Sequence, residues 1–380
     1  MKWGIILAIC ALTNASALHH KDRVDRRVNG ENGWFVPQVD GNFQWLDLDE
    51  ANEALARYET IEEGQKSNRI SLNAVTFYLY TQRNPDDGQL ITANEASINA
   101  SNFRAENPTR FTIHGWNSNY KDGVNVGIRR AWFGYGDYNM IAVDWARGRS
   151  LDYASSVSGA PAAGKKISEL IDFLVQHYDM SLESLEVVGF SLGAHVAGFT
   201  AKNVATGQVQ KVVGLDPAMP LINYNKTEKR LCSTDAFYVE SIQTNGGTLG
   251  FTQPIGKAAF YPNGGRTQPG CIADLTGGCS HTRAVLYYVE SLESDNFPTM
   301  KCNSYQEANN NDCGSTYSSV RMGSKVNSFV ASGEFYVPVN EASPYGIGKN
   351  SNGSGEDEDE ENATTTEASI TEEDDTTSIP

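Results

Sequence analysis

The 380-residue sequence predicts an α/β protein: a mostly parallel central sheet with helices on both faces, forming one large domain over residues 33–340. Three observations lead there. Short β-branched runs alternate with helical runs through the body of the chain, the pattern of parallel strands joined by crossover helices. The stretch Glu186-Val187-Val188-Gly189-Phe190-Ser191-Leu192-Gly193-Ala194 reads as a strand, a tight turn and the start of a helix. The roughly 300 residues between the polar ends suit a single core, and no internal repeat divides them.

Taken in order, residues 1–17 read as a signal peptide. Lys2 supplies the positive start, 3–12 is an apolar run too short to span a bilayer, and Ala15-Ser16-Ala17 has the small-x-small form of a cleavage site. The protein is therefore expected to be secreted and extracellular. Residues 18–32 are a polar N-terminal segment whose dibasic Arg26-Arg27 fits a processing site and a plain exposed segment equally well. Strands are expected at 74–80, 110–114, 140–145, 185–189, 211–216 and 237–243, and helices at 162–179 and 192–204. Residues 341–380 read as a disordered acidic tail rich in Thr and Ser. Its last thirty residues hold eleven Asp and Glu but no Lys, Arg or aromatic residue, so they carry −11 of the formal net charge of −17. Such a segment buries too little apolar surface to offset its ordering entropy. The acidity is thus mostly a property of the tail, and with no basic stripe a nucleic-acid partner is not expected.

Of the six cysteines, Cys10 belongs to the leader, leaving Cys232, Cys271, Cys279, Cys302 and Cys313. The odd number leaves at least one thiol unpaired within the chain. The closest sequence pairs, Cys271 with Cys279 and Cys302 with Cys313, would each close a short loop, with Cys232 left over. Asn99 and Asn225 are glycosylation candidates in the body, and Asn352 and Asn362 in the tail.

The chemistry centres on Gly189-Phe190-Ser191-Leu192-Gly193. A serine between two glycines at a strand-to-helix turn sits exposed at the head of a sheet. Its hydroxyl needs a base, a group that orients the base, and donors for an oxyanion. His19 and His20 lie at the N-terminus, His177 in an expected surface helix, His195 on the helix after Ser191 where packing accounts for it, and His114 at a strand end before Gly115. His281 is the best base. Asp216 ends a strand immediately before Pro217 and is the expected orienting acid. Asp144, also at a strand end, is the rival. Leu192 N–H and Trp116 N–H are the expected oxyanion donors. The order Ser191, Asp216, His281 is that of α/β-hydrolase triads, so the α/β-hydrolase fold is expected. This chemistry calls for no cofactor.

These residues resemble the pancreatic-lipase family of animal neutral lipases and phospholipases A1, most of all its insect secreted branch. The resemblance runs from Gly33 to Val339. It rests on Thr112-Ile113-His114-Gly115-Trp116, Ala142-Val143-Asp144-Trp145, the Ser191 stretch through His195, Gly214-Leu215-Asp216-Pro217-Ala218, Phe260-Tyr261-Pro262-Asn263-Gly264-Gly265 with Gln268-Pro269-Gly270-Cys271, and Cys279-Ser280-His281. It implies the same triad and oxyanion donors. It also implies a lid between Cys271 and Cys279, which here encloses only residues 272–278. The loop at 245–254 is short as well, and both features are similar to the phospholipases A1 of the family. The family's colipase-binding β-sandwich lies outside the resemblance, so colipase is not expected. Near the family's structural calcium site, Arg230 and Asp235 remain but Cys232 stands where an aspartate would ligate. Calcium wants several oxygen ligands, so no metal is expected. The expectation is a serine carboxylic-ester hydrolase, foremost a phospholipase A1 acting on phosphatidylcholine at a membrane or micelle surface. The alternatives are a triacylglycerol lipase or galactolipase and, from another class, a non-catalytic lipid-binding or yolk-type protein.

Overall fold

The computed structural model describes residues 27–65, 73–323, 329 and 331–348. The chain divides into two units after Lys349, and the described residues all fall in the first. The leader, the residues beyond 348, and with them Asn352 and Asn362, lie outside the described residues.

In chain order the elements are β1 (Gly33–Pro37), β2 (Phe43–Asp47), α1 (Leu48–Gln65), β3 (Val75–Tyr80), β4 (Gln89–Ile91), α2 (Glu95–Asn99), β5 (Thr109–Ile113), α3 (Gly123–Phe133), β6 (Asn139–Trp145), α4 (Tyr153–Tyr178), β7 (Glu186–Phe190), α5 (Leu192–Asn203), β8 (Lys211–Leu215), β9 (Tyr238–Ile242), β10 (Ala258–Pro262), α6 (Gly278–Ser294), β11 (Met300–Lys301), α7 (Tyr305–Asn310) and β12 (Gly333–Val337). β1 and β2 form a separate antiparallel pair, with Trp34 opposite Leu46. The remaining strands make a ten-stranded sheet in the order β11-β12-β10-β9-β8-β7-β5-β6-β3-β4. From β6 across to β12 neighbouring strands run parallel. Antiparallel pairings occur at the two edges, β3 with β6 and β4, and β11 with β12.

Successive residues of one strand serve opposite faces, because side chains alternate along a strand. Val187 and Val212 belong to a core with Ile167, Ile171 and Leu174 of α4 and Val196 and Ala197 of α5. Val188 and Val213 belong to a second core with Ile128 and Trp132 of α3 and Tyr287 and Tyr288 of α6. Burial on both faces explains why β6 and β8 read as unbroken buried runs. The fold is an α/β-hydrolase, as expected from the alternation and the serine turn.

All six expected strands lie within one residue of the observed bounds, the one at 237–243 being β9. Among the described residues two disulfides are present, Cys271–Cys279 and Cys302–Cys313, and Cys232 is a free thiol. The main boundary correction is α4, which begins at Tyr153 rather than at 162 and runs through Pro161. Asp152 caps it by accepting from Ser155 N, and Tyr153, Ala154 and Ala160 bury against the core. Capping and burial together outweigh the helix-breaking tendency of one proline.

Candidate active site

The parallel strands end at one rim of the sheet, and the candidate residues collect there, where open α/β sheets place ligands. Ser191 follows β7 directly, with φ 57° and ψ −123°. A non-glycine residue holds such a conformation only when its surroundings enforce it. Ser191 N–H donates to Leu215 O at 2.9 Å, and its carbonyl accepts from Ala194 N at 3.1 Å and Ala218 N at 3.3 Å. The serine is therefore stitched to the end of β8 as well as to its own helix. The loop after β5 comes equally close: a Cβ on Gly193 would lie 2.3 Å from Ile113 O, and one on Gly115 would lie 2.9 Å from Ser191 Cβ. Both positions must be glycine for the turn to close against that loop.

Asp216 follows β8 and is fully buried. Its Oδ1 accepts from Thr244 N at 2.7 Å and Asn245 N at 3.1 Å. Its Oδ2 lies 2.5 Å from His281 Nδ1. An ionised carboxylate only accepts, so Nδ1 carries the proton and Nε2 keeps its lone pair. His281 sits in the first turn of α6, with its N–H on Gly277 O at 2.9 Å. Its ring packs on Phe190, the residue before Ser191, with centroids 4.6 Å apart. The expected Ser191, Asp216 and His281 thus share one corner, and Ser191 and His281 are each 8% exposed.

The expected oxyanion donors flank the serine. Leu192 opens α5, where the first N–H groups have no partner within the helix. Trp116 follows Gly115, and its ring meets Tyr153 edge-on at 5.4 Å. The loop carrying Trp116 is anchored from below: Trp145 Nε1 donates to His114 O at 3.0 Å, and His114 Nδ1 lies 2.8 Å from Gly115 O. Asp144, the rival acid, is spent on this anchor. Its carboxylate lies 3.3 Å from His114 Nε2 and 3.5 Å from Arg149. His195 is also structural, since its Nδ1 accepts from Leu231 N at 3.0 Å while Nε2 donates to Ala218 O at 2.7 Å. Burial, aided by Arg230 and Lys202 nearby, lowers its pKa to about 4 despite the Ala218 bond. It stays neutral at physiological pH.

Several supporting residues have a role that the sequence does not reveal, even where, like Gln268, they belong to a stretch that carries the family resemblance. Gln268 donates to Thr244 O at 3.0 Å and Pro262 O at 2.8 Å, while its own N–H reaches Ser280 Oγ at 2.9 Å. It braces the backbone behind both Asp216 and His281. Thr244 and Asn245 contribute only main-chain donors, so their identity reveals nothing in advance.

The loop closed by Cys271–Cys279 leads straight into His281. Asp274 ties it together, accepting from Thr276 N at 2.9 Å and from Cys279 N at 2.5 Å. Ile272 and Leu275 project from it, 85% and 93% exposed.

A parallel sheet with a serine at a strained strand-to-helix turn, an aspartate–histidine pair beside it and a glycine loop against it defines a protein of the α/β-hydrolase class. More narrowly, the chain belongs to the pancreatic-lipase family: the family model Lipase matches residues 47–345. Pancreatic lipase-related protein 2 of Mus musculus is 35% identical over 62% of this chain and 54% of its own length. Pancreatic triacylglycerol lipase of Cavia porcellus is 32% identical over 63% and 56%. Inactive pancreatic lipase-related protein 1 of Mus musculus is 33% identical over 62% and 55%. The chain spans about half the length of the curated relatives it matches. Among solved structures, the α/β-hydrolase enzyme MGS-M1 from a deep-sea metagenome library overlays on 46% of this chain and 66% of its own, at TM-score 0.29 and 16% identity.

Proposed function

We propose that the protein is a secreted serine hydrolase of lipid carboxylic esters, foremost a phospholipase A1 acting on phosphatidylcholine. The observation that carries the hydrolase reading is the 2.5 Å contact of His281 Nδ1 with the buried Asp216 beside the Ser191 turn. Nε2 of His281 takes the Ser191 proton as Oγ attacks the acyl carbonyl. Leu192 and Trp116 N–H groups hold the oxyanion. The imidazolium, stabilised by Asp216, then protonates the leaving alcohol, and water cleaves the acyl-enzyme by the same steps in reverse. The two intrachain disulfides and the leader-like residues 1–17 support secretion.

Two features support a lipid surface as the working environment. The disulfide loop beside His281 is short and internally bonded, enclosing only residues 272–278, which favours a substrate with a bulky polar head group. Ile272 and Leu275 stand out of it as bare aliphatic tips, suited to seating in an apolar layer. Neutral fat is the second reading, favoured by the similarity to pancreatic triacylglycerol lipase. The test is fatty-acid release by the full chain from phosphatidylcholine with distinguishable acyl chains, set against triolein. Release from the sn-1 position, absent in Ser191→Ala, is the expected result. Preferential triolein hydrolysis would overturn the phospholipid reading, and undiminished release by Ser191→Ala would overturn the mechanism.

A further inference from the structure

The loop that corresponds to the family's structural calcium site already receives a positive charge from the protein itself. Lys202, in the last turn of α5, extends its ammonium into that loop. Nζ donates to Arg230 O at 2.9 Å, forms an ion pair with the Asp235 carboxylate and faces Cys232 Sγ at 3.7 Å. Asp235 in turn accepts from Cys232 N at 3.0 Å and lies 2.9 Å from its thiol. We infer that the Lys202 ammonium is the structural cation of this loop, and that the protein holds the loop without a divalent ion.

The donor set fits an ammonium and does not fit calcium. An ammonium offers three donors, and three acceptors are present: a carbonyl, a carboxylate and a sulfur. Calcium takes six to eight oxygen ligands, and a thiol is a poor donor for a hard cation. Among the described residues, no group of three or more His, Cys, Asp or Glu is arranged to hold a metal. The ammonium also blocks the position electrostatically, since a divalent ion would have to displace it from a carboxylate that is only 2% exposed.

Holding this loop bears on the candidate site. Leu231 N–H is the donor to His195 Nδ1, and His195 Nε2 holds Ala218 O, two residues past Asp216. Arg230 adds bonds from Nε to Tyr224 O and from a terminal nitrogen to Leu231 O, both at 2.7 Å. The loop packs so closely that a Cβ on Gly198 would lie 2.8 Å from Leu231 Cα. The Lys202 charge therefore fixes the backbone that supports both the Ser191 helix and the turn after Asp216.

The test uses the full chain and needs no substrate. The melting temperature of the wild type is measured in excess EDTA and in millimolar calcium, with terbium luminescence as a direct binding readout. No shift and no terbium signal are expected. Lys202→Met should lower the melting temperature by several degrees, because it strands a buried carboxylate, and Lys202→Arg should restore most of that loss. Lys202→Glu combined with Cys232→Asp replaces the ammonium and the thiol by carboxylates. It should acquire a terbium signal and a melting temperature that rises with calcium. A wild type destabilised by EDTA or stabilised by calcium would overturn the inference. So would a Lys202→Met protein that melts with the wild type, or a folded double variant indifferent to calcium. Should Lys202→Met fail to fold, the EDTA, calcium and terbium measurements on the wild type still decide.

Discussion

Replacing Asp216 by asparagine separates orientation of the imidazole from stability of the fold. Asp216 is fully buried and serves three donors: Thr244 N at 2.7 Å, Asn245 N at 3.1 Å and His281 Nδ1 at 2.5 Å. Asparagine has the same shape, and its carbonyl can stay at the Oδ1 position and keep both backbone bonds. Its amide then points an N–H at Nδ1, which must become the acceptor. The imidazole proton moves to Nε2, the atom that has to receive the Ser191 proton. The wrong tautomer costs about 10⁴-fold in kcat in triads of this geometry, or about 5.5 kcal/mol of transition-state stabilisation. Asp216→Ala behaves differently, because it leaves two buried backbone N–H groups without an acceptor at about 1–3 kcal/mol each. Hydrolysis of a soluble p-nitrophenyl ester and a thermal melt, run on both variants, give the two quantities separately. The expected pattern is a large rate loss in both variants and a large drop in melting temperature only in Asp216→Ala. An Asp216→Asn protein that keeps its rate to within about tenfold, far short of the tautomer penalty, would show that Asp216 does not set the His281 tautomer. One that loses stability as severely as Asp216→Ala would make the carboxylate a structural group alone.

Two further outcomes follow from the packing around the site. His195 is buried and neutral, with its pKa lowered to about 4 against about 6.5 in the unfolded chain. The unfolded state then binds the extra proton first on acidification, so this contribution is complete above pH 6.5 and is lost as the pH falls toward 4. Wild type should lose about 2 kcal/mol more than His195→Gln between pH 7 and pH 5, read as the shift in urea unfolding free energy; parallel pH profiles would count against the burial account. Ile272→Ser and Leu275→Ser should each weaken binding to phosphatidylcholine vesicles, since seating such a side chain in an apolar layer is worth about 1.5–3 kcal/mol. Both variants should leave p-nitrophenyl ester hydrolysis unchanged, and unaltered vesicle binding would remove the loop from the lipid contact.

Much of the site is legible in the sequence because each of its parts sits at a recognisable punctuation of the chain. Ser191 lies between glycines at a strand end, Asp216 lies between a strand and a proline, and His281 follows Cys279. Glycine, proline and cysteine mark backbone geometry directly, so a linear reading can locate them. Residues that act through their main chain or through a distant fold contact leave no such mark. Thr244 and Asn245 hold Asp216 with backbone N–H groups that any residue would supply. Gln268 stands in the sequence as part of a family-like stretch, and only the fold shows what it holds, set between Thr244, Pro262 and Ser280. Lys202 reads as an ordinary basic residue near a helix C-terminus, and only the approach of the 230–235 loop turns its ammonium into a tether. The start of α4 was hidden for the opposite reason: Pro161 is a strong local stop signal, and tertiary burial of Tyr153 and Ala154 overrode it.

The most direct measurement of Ser191 as the nucleophile is covalent. An activated serine reacts with a fluorophosphonate, whereas an ordinary serine hydroxyl does not. The full-length protein is treated with the probe and the modified peptide is located by mass spectrometry. One phosphonate is expected, on Ser191, absent in Ser191→Ala and formed far more slowly in Asp216→Asn. A folded protein labelled at another residue would show that Ser191 is not the nucleophile, and one that takes up no probe would align this chain with the inactive members among its relatives.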